Sequence, residues 1–463
     1  MTNSLTLTES QHRELLGMLF PGDGLESAAI LVCRFTGPGR ERLIVRAILN
    51  VPDQLCTSRK RDFISWPGDL IEEAIDEAEL TNDALVLIHS HPGGWLHFSS
   101  VDDASDRRTM PALFAAIDAA GSYHGSAIMT PDGRIRTRLY DANLRSHEVD
   151  RIVRIGHNID EIGATSCHPA IPFGSQMTDS FATKTACVIG VSGTGSLVAE
   201  LLARKGVGHL ILIDFDIVEP KNLNRIVNST ALDAATERPK VEMMADAIAR
   251  YAPHIKLSIV NSLIDRERAI IAASAADILF SCVDSMAGRS IAELISRCCL
   301  IPLIDLGVTI PTRNDTEGNP LVSDVCGRID FVRPDGCSLS DRGVVTPEGL
   351  RREYLLEHAP EAAKNEIDAG YMKGVHEEAP SVMALNMRAA SDAVLEWIAR
   401  QYAYRHDGNE GFARTLFSQA DGEVDYLPET AFVATDANEL ARGVIKPLLG
   451  LPGILSNERQ EAA

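Results

Sequence analysis

From Thr185 onward the chain alternates short apolar runs with longer amphipathic segments, and nothing else in its 463 residues restricts the fold so strongly. KTACVIG is followed by GSLVAELLARKG, then by HLILIDFD, PKVEMMADAIARYAP, ADILFSCVD and IPLIDLG. The short runs have strand length and the segments between them have helical spacing. The series therefore reads as βαβ units, which build a parallel sheet with helices on its faces. At its first strand-to-helix junction stands GVSGTG, with Gly190, Gly193 and Gly195. Free backbone N–H groups at a helix start favour phosphate there. Asp214, ending the next strand, is placed to bind a ribose hydroxyl. Such a loop suits a nicotinamide enzyme as well as one that uses ATP, and by itself leaves both open.

The first 140 or so residues carry a less regular α/β pattern. SAAILVC (27–33), RLIVRAIL (42–49) and ALVLIHSH (84–91) are strand-like, GDLIEEAIDEAEL (68–80) has helical spacing, and YHGSAIMT and RIRTRLY flank a turn at Pro131, Asp132 and Gly133. Two to three domains are expected at this length. The boundary falls in 141–180, and 311–375 loses periodicity and reads as a long crossover loop. SVMALNMRAASDAVLEWIARQ (381–401) is a strong helix, and the tail SNERQEAA is expected to fray. The formal charge of −21 argues against nucleic-acid binding, which needs a basic face. The short run Arg59, Lys60, Arg61 reads as a solvated loop. No apolar run spans a bilayer, no secretory signal is evident, and nine scattered cysteines read as reduced thiols, so a cytoplasmic location is expected.

HSHPGGWLHFSSVD (89–102) carries chemistry of its own. On a strand alternate side chains share a face, so His89 and His91 can reach one ion, and Pro92 ends the strand. A loop then returns Asp102 at a helix start. Two imidazoles and a carboxylate suit Zn2+, with a fourth position left for water. A nearby carboxylate must take that water's proton, and a hydroxyl such as Ser99 can bond a developing oxyanion. His97 matches no ligand position and reads as a loop residue. The stretch resembles the JAMM (JAB/MPN) metalloprotease signature H-x-H-P, six residues, S-x-x-D, and meets each of its positions. The resemblance implies His89, His91 and Asp102 as ligands, Ser99 as oxyanion donor, and a glutamate base on an early strand. Glu26 in GLESAAILVC takes that place, with Glu41 as fallback. It also implies hydrolysis of peptide or isopeptide bonds after the terminal glycine of ubiquitin-like proteins.

DFDIVEPKNLNR (214–225) resolves the ambiguity of the glycine loop. It resembles the E1-like (ThiF) adenylating family, with Asp214 and Asp216, Asn222 and Arg225, Lys240 in RPKVE, and Asp284 in SCVDS. The resemblance implies ATP as cofactor, Asp284 holding Mg2+, Arg225 and Lys240 on the phosphates, and Asp214 on the ribose. Arg, Lys and Mg2+ are what in-line attack at an α-phosphate requires. The sequence also departs from the family. Ser192 replaces a usual glycine, and the arginine expected before Phe173 and Gly174 is His168. Only Cys337, followed by Ser340, remains of a zinc pair, so no structural zinc is expected in this domain. Cys337 is the candidate thioester nucleophile, although a relic of that pair is an equal reading. Transfer directly to a partner, or an oxyester on Thr346, stay open.

Together the two resemblances imply a bacterial-type fusion. It comprises an α/β JAMM/MPN domain over 1–145, a linker and lead-in over 146–180, a Rossmann-like E1/ThiF domain over 181–405, and a C-terminal extension over 406–463. They imply a ubiquitin-like partner ending in glycine, an E2-like protein, a homodimer and, in some systems, anti-phage defence. A sulfur-carrier adenylyltransferase, or a binding module with one inactive domain, are the alternatives.

Overall fold

A computed structural model describes residues 4–40, 42–117, 123–164, 172–368, 382–435 and 439–454. Glu41 and His168 lie outside the described residues. The chain divides into two compact units, one comprising 1–168 with 298–300 and 439–450, the other 169–297 with 301–438 and 451–463.

The first unit is a nine-stranded mixed sheet. Its strands are β1 (Ser4–Thr8), β2 (Ala28–Thr36), β3 (Arg42–Val51), β4 (Ala84–Ser90), β5 (His124–Met129), β6 (Ile135–Tyr140), β7 (Ser146–Glu148), β8 (Arg151–Ile155) and β9 (Ile159–Glu161), in the order β9-β8-β1-β3-β2-β4-β5-β6-β7. Both faces are apolar. Along β2, Ala29, Leu31 and Cys33 join the cluster that contains Leu15 and Leu19 of α1 (Glu9–Leu19). Ala28, Ile30 and Val32 join Ala74 and Ala78 of α2 (Asp69–Thr81) and Met110 and Leu113 of α3 (Ser100–Ala116). The sheet runs past the expected boundary at residue 145, because the short strands β7 to β9 pair with β6, β1 and one another. β1 is likewise part of the sheet. Each of these segments is too short for its alternation to stand out in sequence.

His124 on β5 is buried, and its Nδ1 accepts the Leu85 N–H at 3.1 Å. Burial lowers its pKa from 6.5 to about 4. A chain unfolded between these values binds a proton that the folded chain refuses. The His124 contribution is therefore complete above pH 6.5 and fades as pH falls toward 4, by about 1.4 kcal/mol per unit. Replacement by asparagine keeps an acceptor for Leu85. The thermal midpoint of the first unit should then fall less steeply from pH 6.5 to 4 in His124→Asn than in the parent; equal slopes would refute the assignment.

The main sheet of the second unit has eight strands: β10 (Thr185–Ile189), β11 (His209–Ile213), β12 (Lys256–Val260), β13 (Ile278–Ser281), β14 (Leu303–Thr309), β15 (Cys326–Val332), β16 (Arg414–Ser418) and β17 (Glu423–Leu427). They lie in the order β12-β11-β10-β13-β14-β15-β16-β17, the first five parallel and the rest antiparallel. The helices that concern the site are α4 (Gly193–Lys205), α5 (Lys240–Tyr251), α6 (Met286–Cys299), α7 (Pro347–His358), α8 (Pro360–Asp368) and α9 (Met383–Gln401). Strand order reverses between β10 and β13, and in open α/β sheets ligands bind in the crevice at that switch point.

Residues 311–368 do not form the crossover loop expected of 311–375. The segment supplies β15, a small hairpin (Thr312–Asn314 with Pro320–Val322) and helices α7 and α8. β15 escapes an apolar-pattern search because its centre is ionic. Asp330 is fully buried and pairs with Arg328, Arg342 and Arg414. Helix α7 buries no side chain and so shows no apolar stripe. Residues 414–427, expected in a C-terminal extension, continue the same sheet. Among the described residues no helix is long and apolar enough to cross a membrane.

Candidate metal centre and nucleotide pocket

In the first unit the register of the sheet assembles the site. Ala28 lies opposite His89 across the antiparallel β2–β4 ladder, and both point to the face covered by α2 and α3. Two residues beyond, Glu26 and His91 leave the ladder beside each other, tied by Ser90 N–H to Ser27 O and Ser27 N–H to Ser90 Oγ, both 2.9 Å. Helix α3 brings Asp102 to the same point. Ser99 is its N-cap and accepts the Asp102 N–H at 3.2 Å, while the Ser99 N–H donates to Asp102 Oδ2 at 2.6 Å.

The Nε2 atoms of His89 and His91 are 3.1 Å apart, and Asp102 oxygens lie 3.2 Å from the first and 3.6 Å from the second. Ligands on tetrahedral zinc at about 2.0–2.1 Å are about 3.3 Å from one another, so the three groups are spaced as that ion requires. The tautomer fits as well. His91 Nδ1–H donates to the Trp95 carbonyl at 2.7 Å, which leaves a lone pair on Nε2 facing inward. Glu26 belongs to the cluster too, with ligand atoms of Glu26, His89 and His91 all within 4.8 Å of one another. Burial raises the Glu26 carboxyl above its usual pKa, against the pull of the two imidazoles. Burial also acts to raise Asp102, but His89 and His91, when their rings are protonated, and the Ser99 N–H outweigh it and hold that carboxyl well below the usual range.

Arg59 is not a solvated residue. Its guanidinium donates to the Glu26 carbonyl at 2.9 Å, to Ser27 Oγ at 2.7 Å and to Asp23 at 2.9 Å, and the Glu26 N–H donates to the Lys60 carbonyl at 2.8 Å. The basic run thus clamps the backbone of Glu26 from both sides. The expected loop residue His97 accepts from Arg136 at 2.7 Å, and Arg138 lies over the Phe98 ring, so the segment leading to Ser99 is held on β6.

In the second unit the glycine loop joins β10 to α4. Gly190 has φ +85°, where only glycine is unstrained, and a Cβ on Gly195 would stand 1.7 Å from the Gly190 carbonyl. Ser192 has φ −101°, outside the left-handed region that favours glycine, and its side chain does not cap α4. Asp214 accepts from Val191 N–H at 2.6 Å and Asp216 N–H at 2.9 Å, which fastens the loop to the end of β11; burial raises its pKa. Lys240, buried at the start of α5, donates to Asp216 at 2.7 Å. Asn222 is buried and accepts the Glu219 N–H at 3.1 Å, a role in the turn. Arg225 passes beside Gly193, its Cδ 3.5 Å from where a Cβ would stand. Asp284 is exposed in the segment after β13, whose Cys282 and Val283 abut Gly190.

Cys337 is 3% exposed, and burial together with Glu429 pushes its thiol up to about 11, the reverse of an activated nucleophile. Thr346 is the N-cap of α7 and accepts the Gly349 N–H at 3.1 Å. Phe173 is exposed, with its ring against Tyr404.

Residues 8–138 match the prokaryotic homologues of the JAB domain, and residues 169–322 match the ThiF family. The chain is a fusion of a JAB domain and a ThiF domain. The ThiF domain is similar to the molybdopterin-synthase adenylyltransferase of Escherichia coli (strain K12), 35% identical over 119 residues that cover 25% of this chain and 46% of that protein. It is also similar to the ubiquitin-like modifier-activating enzyme 5 of Caenorhabditis elegans, 34% identical over 120 residues covering 23% and 27% respectively. The fusion thus spans less than half the length of these curated relatives. A crystal structure of E. coli MccB with ATP aligns over 57% of this chain and 68% of that one, at 17% identity and a TM-score of 0.42.

Proposed function

We propose that the ThiF domain adenylates the carboxy-terminal glycine of a ubiquitin-like protein, and that the JAB domain hydrolyses the peptide or isopeptide bond formed by that same glycine. The observation that carries the first half is the gathering of Lys240, Arg225, Asp214 and Asp216 round one uncapped glycine loop at the switch point of the sheet, with Asp284 next in the chain to Val283, which abuts Gly190. Both relatives named above activate or adenylate by name, one a ubiquitin-like modifier and one molybdopterin synthase. In the reaction a glycine carboxylate oxygen bonds to the α-phosphorus of ATP, the bond to the bridging oxygen breaks, and pyrophosphate departs. Loop amides, Arg225 and Lys240 neutralise the phosphate charge, and Asp284 would hold Mg2+.

In the JAB domain His89, His91 and Asp102 would hold Zn2+, which when bound acidifies water and polarises a carbonyl. Glu26, with its raised pKa, accepts and returns the proton. The Ser99 hydroxyl, at the helix N-cap three residues before Asp102, donates to the oxygen that becomes negative. The buried Cys337 leaves direct transfer to a partner's nucleophile, such as that of an E2-like protein, as the route after adenylation. The reading includes a homodimer. A sulfur-carrier adenylyltransferase is the second reading, favoured by the similarity to the molybdopterin-synthase enzyme. ATP–pyrophosphate exchange separates the two. Exchange should require a ubiquitin-like protein with its terminal glycine, and adding an E2-like protein, rather than a sulfur donor, should discharge the adenylate. Absence of exchange with every such protein from the same source would refute both.

A further inference from the structure

Helix α7 buries no side chain, yet one of its faces is laid on the start of α6. Thr346 Oγ1 lies 4.0 Å from Met286 Sδ, and Gly349 backs onto the same sulfur so closely that a Cβ would have no room. Four residues on, both oxygens of Glu353 accept backbone N–H groups, that of Met286 at 2.7 Å and that of Ala287 at 3.0 Å. Positions 346, 349 and 353 follow helical spacing, so these contacts belong to a single stripe. The first four N–H groups of a helix have no partner within it. In α6 Ser285 Oγ accepts the Gly288 N–H at 3.2 Å, and Glu353, 67 residues downstream, takes the two donors before it. Asp284 is exposed and stands two residues before Met286. The backbone that carries it is therefore fixed by a side chain from another helix. Charge acts in the same direction. The positive end of a helix disfavours a cation, and a carboxylate placed on that end offsets it.

We propose that Glu353 is a positioning residue of the adenylation site, holding the segment that carries Asp284 and offsetting the positive end of α6 for a divalent cation there. The assignment rests on the reading of Asp284 as the Mg2+ carboxylate and adds to it a group from a helix outside the βαβ series. It also gives α7 a use. A helix with no buried side chain is cheap to displace, so its contact with α6 ties the placement of α7 to the order of the cation site.

The test uses the full-length chain and titrates ATP by calorimetry, with Mg2+ and with EDTA, beside ATP–pyrophosphate exchange at rising Mg2+. Glu353→Ala should raise the Mg2+ concentration for half-maximal exchange about five- to tenfold, the effect of a charge lost from a partly buried helix end. Its rate at saturating Mg2+ and its ATP affinity in EDTA should stay within about twofold of the parent. Glu353→Gln, which keeps an acceptor without the charge, should fall between the two. A Mg2+ requirement in Glu353→Ala within twofold of the parent would overturn the proposal. So would an equal loss of ATP affinity with and without Mg2+, which marks a purely structural cap. Asp284→Ala with the parent's Mg2+ requirement would instead remove the reading beneath, whatever the Glu353 variants do.

Discussion

Glu26→Gln should retain about one zinc per chain and lose hydrolysis by a factor of about 10²–10⁴, the usual contribution of a positioned base. His89→Ala and Asp102→Ala should instead lose the metal. Metal analysis on the three variants distinguishes the two carboxylates, both of which reach the imidazoles. Asp102 lies 3.2 and 3.6 Å from the two rings and is held far toward its ionised form, as a ligand must be. Glu26 is buried and its carboxyl is raised, as suits a group that takes a proton and gives it back. Loss of zinc from Glu26→Gln with retention in Asp102→Ala would exchange their roles. Arg59→Ala should act more weakly, lowering turnover without releasing zinc, because the clamp holds only the backbone of Glu26.

The elements that bear this chemistry were unequally visible in the amino-acid sequence. His89, His91 and Asp102 could be placed because strand alternation and a helix start are short-range features. The two strands that flank the switch point, β10 and β13, could be placed because buried parallel strands are continuous apolar runs. Arg59 could not. A basic triplet in a polar stretch looks solvated, and only the fold reveals that Asp23, Ser27 and the Glu26 carbonyl surround it. β15 was hidden by its own centre, since a buried aspartate with three arginines reads as surface. Ser99 shows a further limit. Its hydroxyl oxygen accepts the Asp102 amide, so one residue caps the helix and stands ready to donate its proton, and sequence spacing cannot separate these two uses.

In the ThiF domain the largest effect is expected from Asp284→Ala and Lys240→Ala, each reducing ATP–pyrophosphate exchange by about 10²–10³ or more, as loss of one group aimed at transition-state charge does elsewhere. The structure separates this loss from misfolding. Asp284 is exposed, so its removal leaves no buried partner. Lys240 is buried, but its partner Asp216 is about half exposed and the buried Asp214 beside it keeps two backbone N–H donors, so the fold should be retained. Asp214→Ala differs in kind, because both oxygens accept backbone N–H groups and the change releases the glycine loop from β11. It should weaken MgATP binding and lower the thermal midpoint together, whereas Asp284→Ala should leave the midpoint within about a degree of the parent, as exposed substitutions do. Exchange that survives in Asp284→Ala at saturating Mg2+ would remove that carboxylate from the metal's ligands, and leave the phosphate charge to the loop amides, Arg225 and Lys240.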